Sequence, residues 1–375
     1  MVDDFAREVE AFFESLPAVM AAAGPGSMDR VRALRGAMAK ARLVGFGIPE
    51  EYGGRTDIEN GDRRFQALSD GRMPREADTL GIGLNMAIPI ILQYGTEEQK
   101  RRFIPSTLNA QEVWCQLFSE PGSGSDFAGL SAKGEKDGDE WIINGHKWFI
   151  SGARRAKFAI LIARTEMDVP EGSRGANTAF IIDLPSKGWN DVREVETMHG
   201  ATGHSEIVLE DLRVHDSQIL GGRGNGHRLG QYRLGPARLA HCMRWVAQAE
   251  TALDMMVDRS LNRFSHGSLL AEKQGIQWLI ADSAMELYQC KLMVLHAAYK
   301  IEKGLPFTSE VSMAKHFVAN SLWQIVDRAI QVHGALGYSN DTPLAHMLQQ
   351  ARWSRFADGA DEIHQMRIAQ RTIAA

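Results

Sequence analysis

The chain has 375 residues, of which 44% are hydrophobic and 24% charged, and its formal net charge is -5. This length predicts two or three domains, and this composition is typical of a globular protein with a sizeable core. The acidic balance argues against a nucleic-acid binder that relies on neutralising phosphates. Three scattered cysteines predict reduced, buried thiols, with neither a disulfide framework nor a metal site.

The sequence contains no feature that predicts export or membrane insertion. Its first residues are acidic and amphipathic, unlike a signal peptide. No apolar run approaches the roughly 18 residues that a membrane-spanning helix needs. We therefore expect a cytoplasmic protein that makes no membrane contact.

Residues 1–112 are predicted to form an all-α domain. Apolar side chains recur with helical spacing in Asp29–Ala41 and again in Glu97–Leu108. Thr96 can cap the second of these helices, and acidic residues follow it in the first turn, where they complement the helix dipole.

Residues 113–222 are predicted to form a β domain. Glu140–Ile143 and Lys147–Ser151 flank Asn144-Gly145, which is the signature of a two-residue hairpin turn. Three further β-rich runs follow, and no helical stretch separates them: Phe158–Ala163, Thr178–Leu184 and Ser205–Val214. This pattern favours an antiparallel sheet or small barrel over a doubly wound sheet.

Residues 223–375 are predicted to form a helical bundle. A helical period runs from Ile276 to Ile301 and stops before Gly304 and Pro306, and a second one runs from Ala314 to Val332. The predicted fold class is therefore α+β, with an N-terminal all-α domain, a central antiparallel β-barrel-like domain and a C-terminal four-helix bundle.

A loop rich in Pro, Gly and Ser leaves a β-run at Leu117–Asp126. Such a loop exposes backbone N–H groups and hydroxyls, so it can approach a planar heterocycle or a phosphate closely. A plain surface loop has the same composition. The loop matches neither the dinucleotide-binding fingerprint nor the phosphate-binding loop of nucleotide hydrolases, which disfavours a Rossmann site.

Phe149 and Ser151 are two residues apart in a predicted strand, so both side chains lie on one face. A flat ring could pack on the phenyl group and bond to the hydroxyl, although ordinary core packing gives the same pattern. Near the C-terminus, Asp358, Asp361 and Glu362 lie beside Gly359. A desolvated carboxylate there could act as a general base. A solvated acidic helix start explains Asp361 and Glu362 equally well.

Taken together in their order and spacing, these segments resemble the acyl-CoA dehydrogenase family. The likeness covers nearly the whole chain, and the branch that it resembles most includes family members ten and eleven. The matching segments are Pro49–Gly54, Tyr94–Lys100, Ser119–Asp126, Ile143–Ser151, Gln331–Tyr338 and Asp358–His364, with Arg233–Arg244 marking the branch.

The resemblance implies FAD as cofactor and Asp358 as catalytic base, where most of the family has a glutamate. A second family solution places a glutamate on the helix near Arg238, but Ala237 stands at that position. Implied cofactor contacts are Phe118, Ser119, Ser125, Phe149, Ser151, Arg263, Gln331, Gly334, Ala360 and Glu362. Implied acyl-CoA contacts are Ser125, Arg238 and Gly359.

The activity implied is α,β-dehydrogenation of an acyl-CoA thioester to the trans-2-enoyl-CoA, with electrons passed to an electron-transfer flavoprotein. Since the family's FAD site draws on two chains, a homodimer or homotetramer is expected. Two alternatives stay open. A nitroalkane-oxidase-like flavin oxidase also uses an aspartate base, and a DNA-associated flavoprotein has the same fold but an added basic C-terminal region.

Overall fold

A computed structural model describes residues 4–24, 27–59, 61–69, 72–74, 81–169, 173–198 and 200–374. The chain divides into two compact units. The first comprises Met1–Thr197 with Ala201–Arg233, and the second comprises Met198–Gly200 with Leu234–Ala375. The three-domain division at residues 112 and 222 stays a prediction.

The first unit begins with helices that share one apolar core. Their bounds are α1 Asp4–Ala22, α2 Ser27–Lys40, α3 Gly61–Ser69, α4 Ile88–Tyr94 and α5 Glu97–Leu108. The predicted start of α5 is confirmed, because Thr96 and Gln99 form a reciprocal capping box. The Gln99 N–H donates to Thr96 Oγ1 over 3.2 Å, and the Thr96 N–H donates to Gln99 Oε1 over 3.1 Å.

The strands of the first unit form one mixed sheet. They are β1 Trp114–Leu117, β2 Lys133–Asp137, β3 Glu140–Ser151, β4 Phe158–Arg164, β5 Asn177–Asp183, β6 Trp189–Thr197, β7 Gly200–His215 and β8 Ile219–Leu220. Their order is β6-β7-β3-β2-β4-β5-β8, with β1 on β4. The antiparallel prediction is wrong for two pairs, since β1 and β2 both run parallel to β4. Among the strands described, the two end strands, β6 and β8, do not pair with each other, so barrel-like closure is unconfirmed.

The predicted hairpin turn at Asn144-Gly145 is wrong, because both residues lie inside β3. A Cβ on Gly145 would come within 2.4 Å of the Ala132 Cβ, so the glycine permits close approach of another chain segment. The register of β3 against β7 shifts at this point, and Asn144 Oδ1 accepts the N–H of Asp211 over 2.8 Å. These features describe a bulge. The chain instead reverses between β2 and β3 at Gly138, whose φ is +65°.

The second unit is built around one central helix. After α6 (Gly226–Asn262) and the short strands β9 (Phe264–Ser265) and β10 (Ser268–Leu269) come α7 Gln274–Glu302, α8 Thr308–His333, α9 Ala335–Tyr338, α10 Leu344–Ser354 and α11 Asp361–Ala374. Helix α8 packs against α7, α10 and α11. It buries a stripe that includes Val311, Val318, Leu322 and Ile325. The three cysteines are buried and free, as predicted.

A buried ion pair fastens the loop after β1 to the sheet of the first unit. Lys147 and Glu120 are 0% and 1% exposed, and Lys147 Nζ lies 2.7 Å from Glu120 Oε1. The same ammonium group donates to the carbonyls of Phe118 (3.3 Å) and Ile162 (2.8 Å). Burial alone would raise the pKa of the Glu120 carboxyl, but the Lys147 charge and the hydrogen bonds from Ser131 outweigh burial and lower it.

Replacing Glu120 with Gln should therefore strongly destabilise the first unit, because it leaves the Lys147 charge buried without its counter-ion. We expect the free energy of unfolding to fall by about 3–5 kcal/mol. The measurements are urea denaturation and the amide hydrogen exchange of β3 and β4. Arg154→Met is the matched control, since it removes an exposed cation paired with Asp191 and should change little. Equal effects of the two variants would contradict the assignment.

Candidate functional site

The loop that follows β1 contains a turn closed by two backbone hydrogen bonds. The N–H of Glu120 donates to the Ser123 carbonyl over 2.9 Å, and the N–H of Ser123 donates back over 3.1 Å. The Ser119 carbonyl accepts the N–H of Trp148 over 3.1 Å, which joins the loop to β3. Phe118, the residue before Ser119, packs its ring against Phe127. Ser125 is exposed in this loop.

Phe149 and Ser151 lie at the end of β3, where a bulge interrupts the regular alternation of side chains on which the single-face prediction rests. Phe149 has a φ of +55°, the register against β7 shifts between Lys147 and Ile150, and the phenyl group is 46% exposed. His204 of β7 contacts both residues. Its Nδ1 lies 2.9 Å from Ser151 Oγ, and its ring centroid lies 6.4 Å from that of Phe149. Burial lowers the pKa of His204.

Gln116 of β1 is a polar residue that the sequence reasoning missed. It lies in β1, two residues before Phe118, which directly follows the end of the strand. Its Nε2 is buried and has no hydrogen-bond partner within the described parts of the chain. A buried amide donor without a partner is rare in a folded protein. It is therefore a candidate donor to a bound molecule.

In the second unit, the segment between α10 and α11 has an unusual backbone. Asp358 has a φ of +50° and Gly359 a φ of +115°. A Cβ on Gly359 would lie 2.9 Å from His364 Nε2 and 3.4 Å from Arg238 Nη2, so only glycine fits.

Two buried cations hold this segment. Arg238 Nε donates to the Asp358 carbonyl over 2.6 Å, and Lys315 Nζ donates to the Gly359 carbonyl over 2.6 Å. Arg238 is 6% exposed and Lys315 0%. Burial lowers the pKa of Lys315 to about 8, although the nearby Asp361 carboxylate opposes this change.

The Asp358 carboxylate faces a histidine of α6. Asp358 Oδ2 lies 3.2 Å from His241 Nε2, and the two side chains are 17% and 15% exposed. A partly buried carboxylate with a fixed backbone and one imidazole neighbour is a suitable general base. Sequence reasoning missed His241, because only the folded helix brings it to Asp358.

Asp361, at the start of α11, has a structural role. This carboxylate bonds to Arg355 Nε (2.8 Å) and Asn320 Nδ2 (3.0 Å). Burial would raise its pKa, but the hydrogen bond from Arg355 and the Lys315 charge lower it overall. His364 is fully buried one turn later, and burial with the charges of Arg238 and Lys315 lowers its pKa to about 3. It is therefore a neutral imidazole at physiological pH.

The remaining predicted site residues lie on the surface of the second unit. Arg263 is exposed just after α6, Gln331 is exposed near the end of α8, and Gly334 ends that helix with a φ of +67°. Ala360 is half-buried before α11, and Glu362 is exposed in its first turn. The structure thus brings Arg238, Asp358 and Gly359 into direct contact and leaves Arg263 and Gln331 exposed. The roles of all these residues stay predictions.

The described part of the chain lacks two other kinds of feature. None of its helices is long and apolar enough to cross a membrane. None of its His, Cys, Asp and Glu side chains form a group of three or more that could hold a metal ion.

Nearly the whole chain matches one family of known proteins. Residues 2–111, 115–212 and 224–373 match the N-terminal, middle and C-terminal domains of the acyl-CoA dehydrogenases. The chain is 32% identical over 341 residues to acryloyl-CoA reductase (NADH) of Anaerotignum propionicum, covering 89% of this chain and 84% of that protein. It is 35% identical over 289 residues to mouse acyl-CoA dehydrogenase family member 10, covering 75% of this chain but only 27% of that much longer protein.

Solved structures show the same fold. Butyryl-CoA dehydrogenase of Megasphaera elsdenii superposes with a TM-score of 0.82 at 25% identity, covering 99% of this chain and 97% of that one. An FAD complex of PigA superposes with a TM-score of 0.84 at 21% identity, covering 99% and 98%. The chain belongs to the acyl-CoA dehydrogenase family of oxidoreductases and has its fold, which confirms the family predicted from the motifs.

Proposed function

We propose that this protein is an FAD-dependent enzyme that converts an acyl-CoA thioester to its trans-2-enoyl-CoA and passes the electrons to an electron-transfer flavoprotein. The observation that carries the proposal is the Asp358 carboxylate, which is partly buried, fixed by its backbone and set opposite His241. An acid–base group held in this way is what removal of a weakly acidic α-proton requires.

The residues of the first unit fit a flavin ring. Phe149 has an exposed aromatic face, and Gln116 has a buried amide donor without a partner. Ser151 follows Phe149 by two residues, and the Ser119 carbonyl accepts the N–H of Trp148, the residue before Phe149. Both serines could therefore offer hydroxyls to the ring. Phe118, Ser119, Phe149 and Ser151 would hold the ring. Bound FAD would supply the hydride acceptor for the β-carbon of the substrate.

The chain's own residues do the proton chemistry. Asp358 takes the α-proton, which generates negative charge on the thioester carbonyl oxygen. A backbone N–H aimed at that oxygen would stabilise the charge. Gly359 lets the chain turn sharply after Asp358, and Arg238 and Lys315 keep that turn rigid.

Anaerobic titration with acyl-CoA thioesters of different chain length should bleach the flavin absorbance of the wild-type protein. The Asp358→Asn variant should keep its FAD but lose most of this bleaching, because an amide cannot accept the proton. Removing one general base slows such a step by about 10²–10⁴-fold. Stopped-flow absorbance at the flavin maximum measures the rate.

Asp341→Asn is the matched control, since it makes the same change in an exposed loop of the second unit. Its reduction rate should equal that of the wild type. Near-normal bleaching in Asp358→Asn would rule out Asp358 as the base. Absence of bleaching with every thioester in the wild type would rule out the dehydrogenase function itself.

A reductase working in the opposite direction is the second candidate. The similarity to acryloyl-CoA reductase over 89% of this chain favours it. The same base could protonate the α-carbon of an enoyl thioester as hydride returns to the β-carbon. Mixing the reduced enzyme with enoyl-CoA, electron-transfer flavoprotein or oxygen compares the three reoxidation rates. Fast reoxidation by oxygen would favour the oxidase alternative.

Gln116 provides a test of the proposed cofactor position. The Gln116→Leu variant should bind FAD more weakly and shift the flavin absorbance spectrum, because one hydrogen bond to the ring is lost. We expect an affinity loss of about 5- to 10-fold, the usual value of a neutral hydrogen bond. Gln111→Leu, an exposed residue before β1, is the control. An unchanged spectrum and affinity in Gln116→Leu would place the flavin elsewhere.

A second copy of this chain is the proposed occupant of an apolar stripe on α7. Large apolar side chains that are 49–65% exposed recur along this helix with spacings of mostly three and four residues: Trp278, Met285, Tyr288, Leu292, Leu295 and Tyr299. This spacing lines up one face of a helix and suits helix–helix packing. A self-complementary stripe of this kind favours a symmetric homo-oligomer.

The Leu295→Glu variant should lower the oligomeric state, because it would bury a charge within the stripe. Analytical ultracentrifugation measures the mass, and the FAD content of the variant shows whether the cofactor needs a neighbouring chain, as predicted for Arg263 and Gln331. Leu305→Glu adds the same charge just beyond α7 and should leave the mass unchanged. An unchanged mass for Leu295→Glu would exclude this face as the interface.

A further inference from the structure

We infer that His241 is a positioning residue that fixes the orientation and basicity of the Asp358 carboxylate. The inference rests on the proposed function, since it concerns the same base. His241 Nε2 lies 3.2 Å from Asp358 Oδ2. His241 belongs to α6, whereas Asp358 lies more than 100 positions later, between α10 and α11.

A neighbouring arginine selects the tautomer of His241. Arg244 Nη2 lies 2.8 Å from His241 Nδ1. A guanidinium group has only N–H donors and stays charged, so it must donate to a lone pair on Nδ1. The proton of the neutral ring is then on Nε2, the nitrogen that faces Asp358. The N–H of His241 therefore faces Asp358 Oδ2 over 3.2 Å, and Arg244 occupies the other nitrogen. That oxygen is buried and has no hydrogen-bond partner among the described residues, so rotation of the carboxylate about its terminal bond would complete a hydrogen bond from His241.

Two tryptophans hold the imidazole ring in place. The Trp245 ring stacks on it at 5.3 Å with an interplanar angle of 22°, and Trp353 contacts it edge-on at 5.7 Å and 82°. Arg244 and Trp245 follow His241 by three and four positions, so one helical turn presents all three side chains together. The ring is thereby held by two neighbours, with Nε2 3.2 Å from Asp358 Oδ2.

Other charged groups surround this pair. They are Arg238 of α6, Lys315 of α8, Arg355 after α10, and Asp361 and His364 of α11. Arg238 and Lys315 bond to the backbone of the Asp358 segment, and Arg355 bonds to Asp361. These bonds go to backbone carbonyls and to Asp361, whereas the His241 N–H faces the Asp358 carboxylate. A hydrogen bond to the charged form of a carboxyl lowers its pKa.

The test compares His241→Leu with His241→Gln in the FAD-loaded protein. Both replacements have a similar size, but only glutamine keeps an N–H donor. The leucine variant should reduce its flavin about 10- to 100-fold more slowly, the range for loss of one hydrogen bond to a charged group. Its KM for acyl-CoA and its FAD content should stay unchanged. The glutamine variant should recover most of the rate.

The pH profile of flavin reduction separates positioning from packing. Without the donor, the pKa of the base rises, so the acid limb of the leucine profile should move to higher pH. The glutamine profile should stay close to that of the wild type. Equal rates and profiles for leucine and wild type would overturn the inference. His346→Gln, at an exposed position of α10, is the control and should match the wild type.

Nitrogen chemical shifts of ¹⁵N-labelled histidine give a readout that needs no turnover. The His241 signal, assigned by its loss in His241→Gln, should show a neutral ring protonated at Nε2. In Arg244→Leu that preference should weaken. A ring protonated at Nδ1 in the wild type would overturn the inference even where bleaching is normal. Failure of every acyl-CoA to bleach the wild type would instead overturn the proposed function, while the tautomer still reports on His241.

Discussion

The site of the second unit depends on two buried cations that bond to consecutive backbone carbonyls. Arg238 and Lys315 hold the carbonyls of Asp358 and Gly359 while both residues have positive φ. A non-glycine residue in this region costs about 1–3 kcal/mol, and it persists only where surrounding contacts impose it. Charge-assisted hydrogen bonds from buried donors are strong enough to do so. The position of the Asp358 carboxylate is therefore set by its backbone before any substrate binds.

In the first unit, too, a buried cation bonds to backbone carbonyls. Lys147 is fully buried, and its ammonium group bonds to the carbonyls of Phe118 and Ile162, with Glu120 as its counter-ion. Lys315 likewise has a carboxylate nearby, since its Nζ lies 3.8 Å from Asp361 Oδ1. In both places a buried charge is offset by a carboxylate and by carbonyl oxygens, so its desolvation cost is met locally. Each lysine thus bonds to a segment that carries proposed site residues.

Local patterns predicted those parts of the fold that depend on local energetics. The Thr96 cap set the start of α5, and the apolar spacing from Ala314 to Val332 located α8. Asn144-Gly145 misled because its local signal is that of a turn, whereas close contact with Ala132 of the neighbouring chain segment decides its conformation. Family motifs supplied Asp358 and Ser119. They could not supply His241 or Gln116, because the role of each depends on which groups tertiary folding brings near it.

The length of the side chain at position 358 suits the space beside His241. A glutamate would lengthen the side chain by one methylene, a bond of about 1.5 Å. The carboxylate oxygen already lies 3.2 Å from His241 Nε2, so a glutamate would have to adopt a bent rotamer to avoid the imidazole. The ring cannot retreat, because Trp245 and Trp353 hold it on two sides and Arg244 bonds to its far nitrogen. The shorter side chain of aspartate therefore fits the space beside His241 without such a bend, and it leaves a carboxylate oxygen within reach of the histidine N–H.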